Sequence, residues 1–86
     1  MAESLAEEVR HHVNVALVEP ARKAGRTQVS VVAGDVHKDL RLKNRMPAVC
    51  AAIDTSIFQQ QYRVIVGKRI GPRQGSTATW ILSIEK

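Results

Sequence analysis

At 86 residues with 44% apolar content, the chain is long enough for one compact domain and too short for two, and wholesale disorder is excluded. Its formal charge of +5 is uneven: residues 1–34 sum to zero, whereas 35–86 carry nine Lys or Arg against Asp35, Asp39, Asp54 and Glu85. No apolar run approaches the roughly 18 residues of a membrane span, the acidic start MAESLAEEVR lacks a signal-peptide profile, and the lone Cys50 cannot form an internal disulfide. A soluble cytoplasmic domain is expected, and its clustered positive charge suits a polyanionic partner.

Ser4 and Glu7 have the spacing of a capping box, and Leu5, Val9, Val13, Ala16 and Leu17 recur at helical intervals. They predict a helix over about 4–18. Pro20 is expected to end or kink it near Val18, with PARKAGR adding a further turn that exits at Gly25. Val9, Val13, Leu17 and Val18 either close the domain's own core or offer the face of a homodimer. TQVSVV, β-branched and bounded by glycines, reads as a brief strand. In AGDVHKDLRL, Asp35 reads as the N-cap of a short helix. KN then makes a tight turn, with Asn44 as the cap of a second helix. Arg45, Met46 and Pro47 fall in its first turn, and Val49, Ala52, Ile53, Ile57 and Phe58 form its buried side. Gln59, Gln60 and Gln61 look like a polar exit.

From Tyr62 the period changes to two. Tyr62, Val64 and Val66 alternate with Arg63, Ile65 and Gly67; after RIGPRQGS, Ala78, Trp80, Leu82 and Ile84 alternate with Thr77, Thr79, Ile81 and Ser83. This predicts a hairpin over about 62–84 whose connection is rich in glycine.

The order helix–strand–helix–helix–strand–loop–strand, the stretch GDVHKDLRLKNRMPAVCAAID and the glycine-rich hairpin together resemble the winged helix-turn-helix family. The resemblance covers nearly the whole chain. It implies an α+β fold, one domain over 1–86 with the helix-turn-helix at about 35–58. It also implies a double-stranded DNA-binding protein, a transcriptional regulator or chromatin-associated protein of the nucleoid in a prokaryote. The segment from Arg45 to about Phe58 would then be the recognition helix in a major groove. Lys68, Arg69, Arg73, Gln74 and Ser76 would belong to a wing on the backbone or an adjacent minor groove.

The residues themselves point the same way. Lys38, Arg41, Lys43, Asn44 and Arg45 crowd into the turn between two helices, where arginine forks and lysine point charges suit phosphate. Ala48, Ala51 and Ala52 either allow close approach to DNA with apolar contact to thymine methyls or permit close packing against another helix, the latter being expected of Ala52. Met46 either touches a base edge or methyl group or is a partly exposed packing residue. Lys68, Arg69 and Arg73 read as the tip of a loop, and a plain connector has no need of three cations. Five phosphate contacts would give a salt slope of about −4.5. After Arg45 the helix runs Met46, Pro47, Ala48, Val49, Cys50, Ala51, Ala52, so backbone contact is expected to outweigh base reading. The same apolar helix suits an alternative, a protein–protein interaction module docking on a larger nucleic-acid-processing assembly.

Other chemistry finds little footing. Adjacent His11 and His12 point in different directions on a helix, and His37 has no second ligand at useful spacing. Cys50 sits in an apolar helical pattern, and solvation or capping accounts for Asp35 and Asp39. Gly67, Gly71 and Gly75 do not precede a helix, so there is no nucleotide-binding fingerprint. Three aromatic residues are too few for a single-strand stacking platform. No catalytic set, metal, cofactor or small-molecule substrate is expected.

Overall fold

Ser4 opens the first helix as its spacing requires: its hydroxyl accepts the Glu7 N–H at 3.2 Å. In the computed structural model, which describes residues 4–84, that helix does not stop at Val18. Helix α1 (Leu5–Val13) runs through a π-helical segment (Asn14–Val18) into α2 (Glu19–Lys23) without a break. The widened turn explains how the chain absorbs Pro20. In α register the proline ring would press on the carbonyl of Ala16 and leave it without a donor. Here the preceding residue, Glu19, donates its N–H to the Asn14 carbonyl, five residues back, and Asn14 Nδ2 donates to Glu19 Oε1 at 3.3 Å. Val9, Val13 and Val18 are wholly buried, so they close the domain's own core; Val15 remains 47% exposed.

Strand β1 (Gln28–Val32) leads directly into α3 (Ala33–Asp39), followed by α4 (Met46–Ile53), α5 (Ser56–Tyr62), β2 (Val64–Ile70) and β3 (Thr79–Ile84). The three strands form one antiparallel sheet in the order β1-β3-β2. β3 is central, and its alternation is as expected: Trp80, Leu82 and Ile84 are buried, Thr79, Ile81 and Ser83 less so. The helices cover the buried face, where Trp80, Phe58, Ile53, Leu82 and the valines of α1 meet. Among the described residues no helix is long and apolar enough to cross a membrane.

Three local expectations are corrected. Asp35 is not an N-cap, because α3 starts two residues earlier, straight from the extended Val32, and Asp35 lies in its first turn. Asn44 does not cap α4 either; it is left-handed at φ 53°, and Arg45 occupies the cap position with no side-chain cap bond. The single helix expected from Arg45 to Phe58 is two. Asp54 and Thr55 interrupt it, and the Thr55 hydroxyl donates to the Ala52 carbonyl at 3.0 Å, the local bonding that makes such residues poor helix interiors. α5 therefore takes up Gln59, Gln60 and Gln61 and turns Ile57 outward, 55% exposed, away from the buried side assigned to it.

The hairpin holds a fourth correction. Val66 pairs with Leu82, but Lys68 pairs with Ile81 and Arg69 with Trp80, so Gly67 is an extra residue on β2. This bulge reverses the alternation. Arg69 comes onto the helix-covered face beside Trp80, and Lys68 turns to the opposite face beside Ile81. Both lie within β2, which runs to Ile70; of the three cations, Arg73 alone belongs to the connecting loop.

Candidate nucleic-acid interface

The basic turn between α3 and α4 is shaped by backbone. At the end of α3 the Arg41 N–H donates to the Lys38 carbonyl and the Leu42 N–H to the His37 carbonyl, both at 3.0 Å. This paired pattern closes a helix through a left-handed residue, usually glycine. α2 ends in the same way, with Gly25 N–H to Arg22 and Arg26 N–H to Ala21 and Gly25 at φ 77°. In α3 the left-handed position, φ 54°, is held by Arg41. Leu40 and Leu42 tuck against the core on either side. His37 Nε2 accepts the Arg45 N–H at 3.2 Å and so fixes the entry to α4. Behind the turn, His12 Nε2 meets Asp39 Oδ2 at 3.2 Å and ties α1 to α3.

That scaffold leaves Lys38, Arg41, Lys43, Asn44 and Arg45 exposed, and none of the four cations takes part in the ion pairs of the described residues. Met46 packs partly against the core, and Ala48 is half-buried.

The hairpin spends its charge differently. Arg69 Nε and Nη2 donate to the two carboxylate oxygens of Asp54 at 3.0 and 3.3 Å. Its Nη1 donates to the Pro72 carbonyl at 3.1 Å, its Nη2 also reaches the Arg73 carbonyl, and the guanidinium lies 5.0 Å from the centre of the Trp80 ring. Asp54 Oδ1 in turn accepts the Trp80 indole N–H at 2.7 Å. A buried indole needs an acceptor, and Asp54, at the C-terminal end of α4, serves both the indole and the cation. Arg69 is thus a strut between α4, β2 and the loop.

Backbone contacts dock the other side of the loop on α3. Gly34 N–H donates to the Ser76 carbonyl and Ala33 N–H to the Ala78 carbonyl, each at 2.8 Å. The approach is so close that a Cβ on Gly34 would sit 2.7 Å from the Ser76 oxygen. Arg73, Gln74 and Ser76 remain exposed. Arg73 and Gln74 line an open cleft of about 640 Å³ with Cys50, Ala51, Asp54 and Arg69. Burial pushes the Cys50 thiol above its ordinary pKa, a rise that the nearby Arg69 charge only partly offsets.

Helix α4 therefore joins the two basic segments. The turn cations cluster at its N-terminal end, and the loop folds against its C-terminal half. Eight residues span about 12 Å, and the stripe between the two ends is Pro47, Ala48, Ala51 and Asp54. Lys68 is not brought to this surface and Arg69 is engaged within it. Sequence reasoning missed Asp54, Gly34 and His37, which hold the arrangement together. Only Trp80 gave a clue, since its indole required a partner that lies 26 residues away.

No family model matches the chain, and no curated protein or solved structure shows significant similarity to it.

Proposed function

We propose that this domain is a winged helix-turn-helix module that binds double-stranded DNA, as a regulator or chromatin-associated protein. Supporting the fold reading, the first strand adds to the far side of a two-stranded hairpin, in the order β1-β3-β2, and two helices stand between them in sequence. The observation that carries the functional reading is the α3–α4 turn. It holds four exposed cations within eight residues, none of them ion-paired among the described residues, one of them Arg41 in a left-handed position that glycine fills at the end of α2. A left-handed backbone costs a non-glycine residue about 1–2 kcal/mol. Arg63 closes α5 in the same conformation at φ 55°, so the strain at Arg41 supports the reading only together with the clustering of the four cations.

In this reading Arg45 and the α4 N-terminus enter the major groove, Lys38, Arg41 and Lys43 neutralise phosphate on one flank, and Arg73 does so on the other. The outward stripe of α4 offers bases only Pro47, Ala51 and the half-buried Ala48 before it ends on the carboxylate of Asp54. Binding is therefore sequence-tolerant. Lys38, Arg41, Lys43, Arg45 and Arg73 give a slope of log affinity against log salt of about −4.5. Fluorescence anisotropy on random duplexes across a salt series tests this. No binding at low salt, or affinity indifferent to salt, overturns it.

The same apolar stripe favours a second reading, in which α4 docks on a protein of a larger nucleic-acid-processing assembly. A stoichiometric partner that survives nuclease treatment, together with no duplex affinity, would select it.

A further inference from the structure

Arg10 has no role in the turn or the hairpin. It lies on α1 between Val9 and Val13, is only 8% exposed, and its Nε has no hydrogen-bond partner among the described residues. Its side chain lines a groove of about 460 Å³ between α1 and α5, with Glu7, His11, Ile57, Gln61 and Tyr62. A buried polar group without a partner costs about 1–3 kcal/mol, and a charged one more. An apolar side chain of similar length would fill the space without that cost. The groove is also the place where α5, broken away from α4, presents Ile57 to solvent.

The chemistry of the walls narrows the occupant. A guanidinium presents a planar fork that matches a carboxylate through two parallel hydrogen bonds. Glu7 stands in the same groove and repels a phosphate dianion or a polyanionic backbone more strongly than a single carboxylate, whose one charge the Arg10 guanidinium can balance. Ile57 offers apolar contact beside the fork. We propose that the α1–α5 groove is a docking site for a protein partner, which places a single Asp or Glu carboxylate on Arg10 and an adjacent apolar side chain on Ile57. None of the turn or loop cations lines this groove, so it works independently of duplex binding.

The test uses the arginine Nε–H signals of the 15N-labelled protein and a probe peptide, Ac-Leu-Asp-Leu-NH2. The peptide is expected to move the Arg10 Nε–H signal and the amides of His11, Ile57 and Gln61 saturably. It should bind about tenfold or more tightly than Ac-Leu-Asn-Leu-NH2, as a charge-assisted pair requires, and inorganic phosphate should have no such effect. Arg10→Met should abolish the response, leave duplex affinity unchanged and keep or raise the melting temperature. Absence of a saturable shift, or an equal response to phosphate, overturns the proposal. So does a lower melting temperature for Arg10→Met, which would make Arg10 a packing element. Movement of the Arg10 signal in Glu3→Gln or Glu85→Gln without peptide also overturns it, since the chain would then fill its own groove.

Discussion

The α3–α4 turn and the hairpin loop carry similar residues and use them in opposite ways. In the turn, backbone bonds and His37 set the shape, so Lys38, Arg41, Lys43 and Arg45 stand in solvent without an ion pair among the described residues. In the hairpin the shape depends on a cation, because Arg69 bridges Asp54, two loop carbonyls and the face of Trp80. A loop of eight residues without its own ladder has few bonds to hold it, and a five-donor guanidinium supplies them. An arginine in a basic segment is therefore a ligand-binding group only where the fold does not already need its donors.

The largest effect that separates the two regions is expected from Asp54→Ala. It strips an acceptor from the Trp80 indole and a counter-charge from Arg69, at a cost of about 2–3 kcal/mol given that the pair is partly solvated. The melting temperature should fall by about 10 °C or more. No comparable change should follow from replacing a turn cation, and calorimetry distinguishes the two. Gly34→Ala should follow, at about 1–3 kcal/mol, the range for forcing an atom into a packed contact. Its Cβ would strike the Ser76 carbonyl, so amide exchange should rise in residues 71–78 and not in the turn.

Arg41→Gly sharpens the comparison from the other side. Relieving the left-handed strain should stabilise the fold by about 1 kcal/mol, while removing the proposed phosphate contact should lower the salt slope by about 0.9. If duplex affinity is unchanged, the turn is not the binding surface. Arg73→Ala should reduce the slope by the same amount, about 0.9, without altering the melting temperature. Arg69→Ala should do the reverse, losing stability first.

The smallest effect concerns Cys50, behind the cleft. Burial raises its thiol pKa, so the native protein should react slowly with alkylating agents and the unfolded chain quickly. As pH rises through the ordinary thiol range the unfolded chain loses this proton first, so stability should fall there. Cys50→Ala should flatten that alkaline limb, a change that denaturant titrations at successive pH values can follow.

Much of the fold was legible because it depends on periodicity. The N-cap at Ser4, the alternation of Trp80, Leu82 and Ile84, and the order of helices and strands apart from the break that separates α4 from α5 are local patterns with local causes. The turn cations were legible for the same reason, since they are close in sequence and remain close in space. The loop was misread at Lys68 and Arg69, because one extra residue at Gly67 reverses the faces of the strand and no composition announces a bulge. Likewise the break at Asp54 and Thr55 was hidden inside an apolar pattern that continues to Phe58. Reading it needed the indole of Trp80, which holds Asp54 from another part of the chain.

By itself, then, the sequence determined an α+β domain, a one-sided positive charge and a basic turn between two short helices. Hydrophobic period and turn chemistry act over a few residues and can be read in order. Only tertiary structure decided which cations are engaged within the fold, that Pro20 sits within a continuous helix, and that Arg10 is buried against a groove with its Nε unpartnered among the described residues. Each of those depends on which distant group lies within about 3 Å of a side chain, and that is settled by packing.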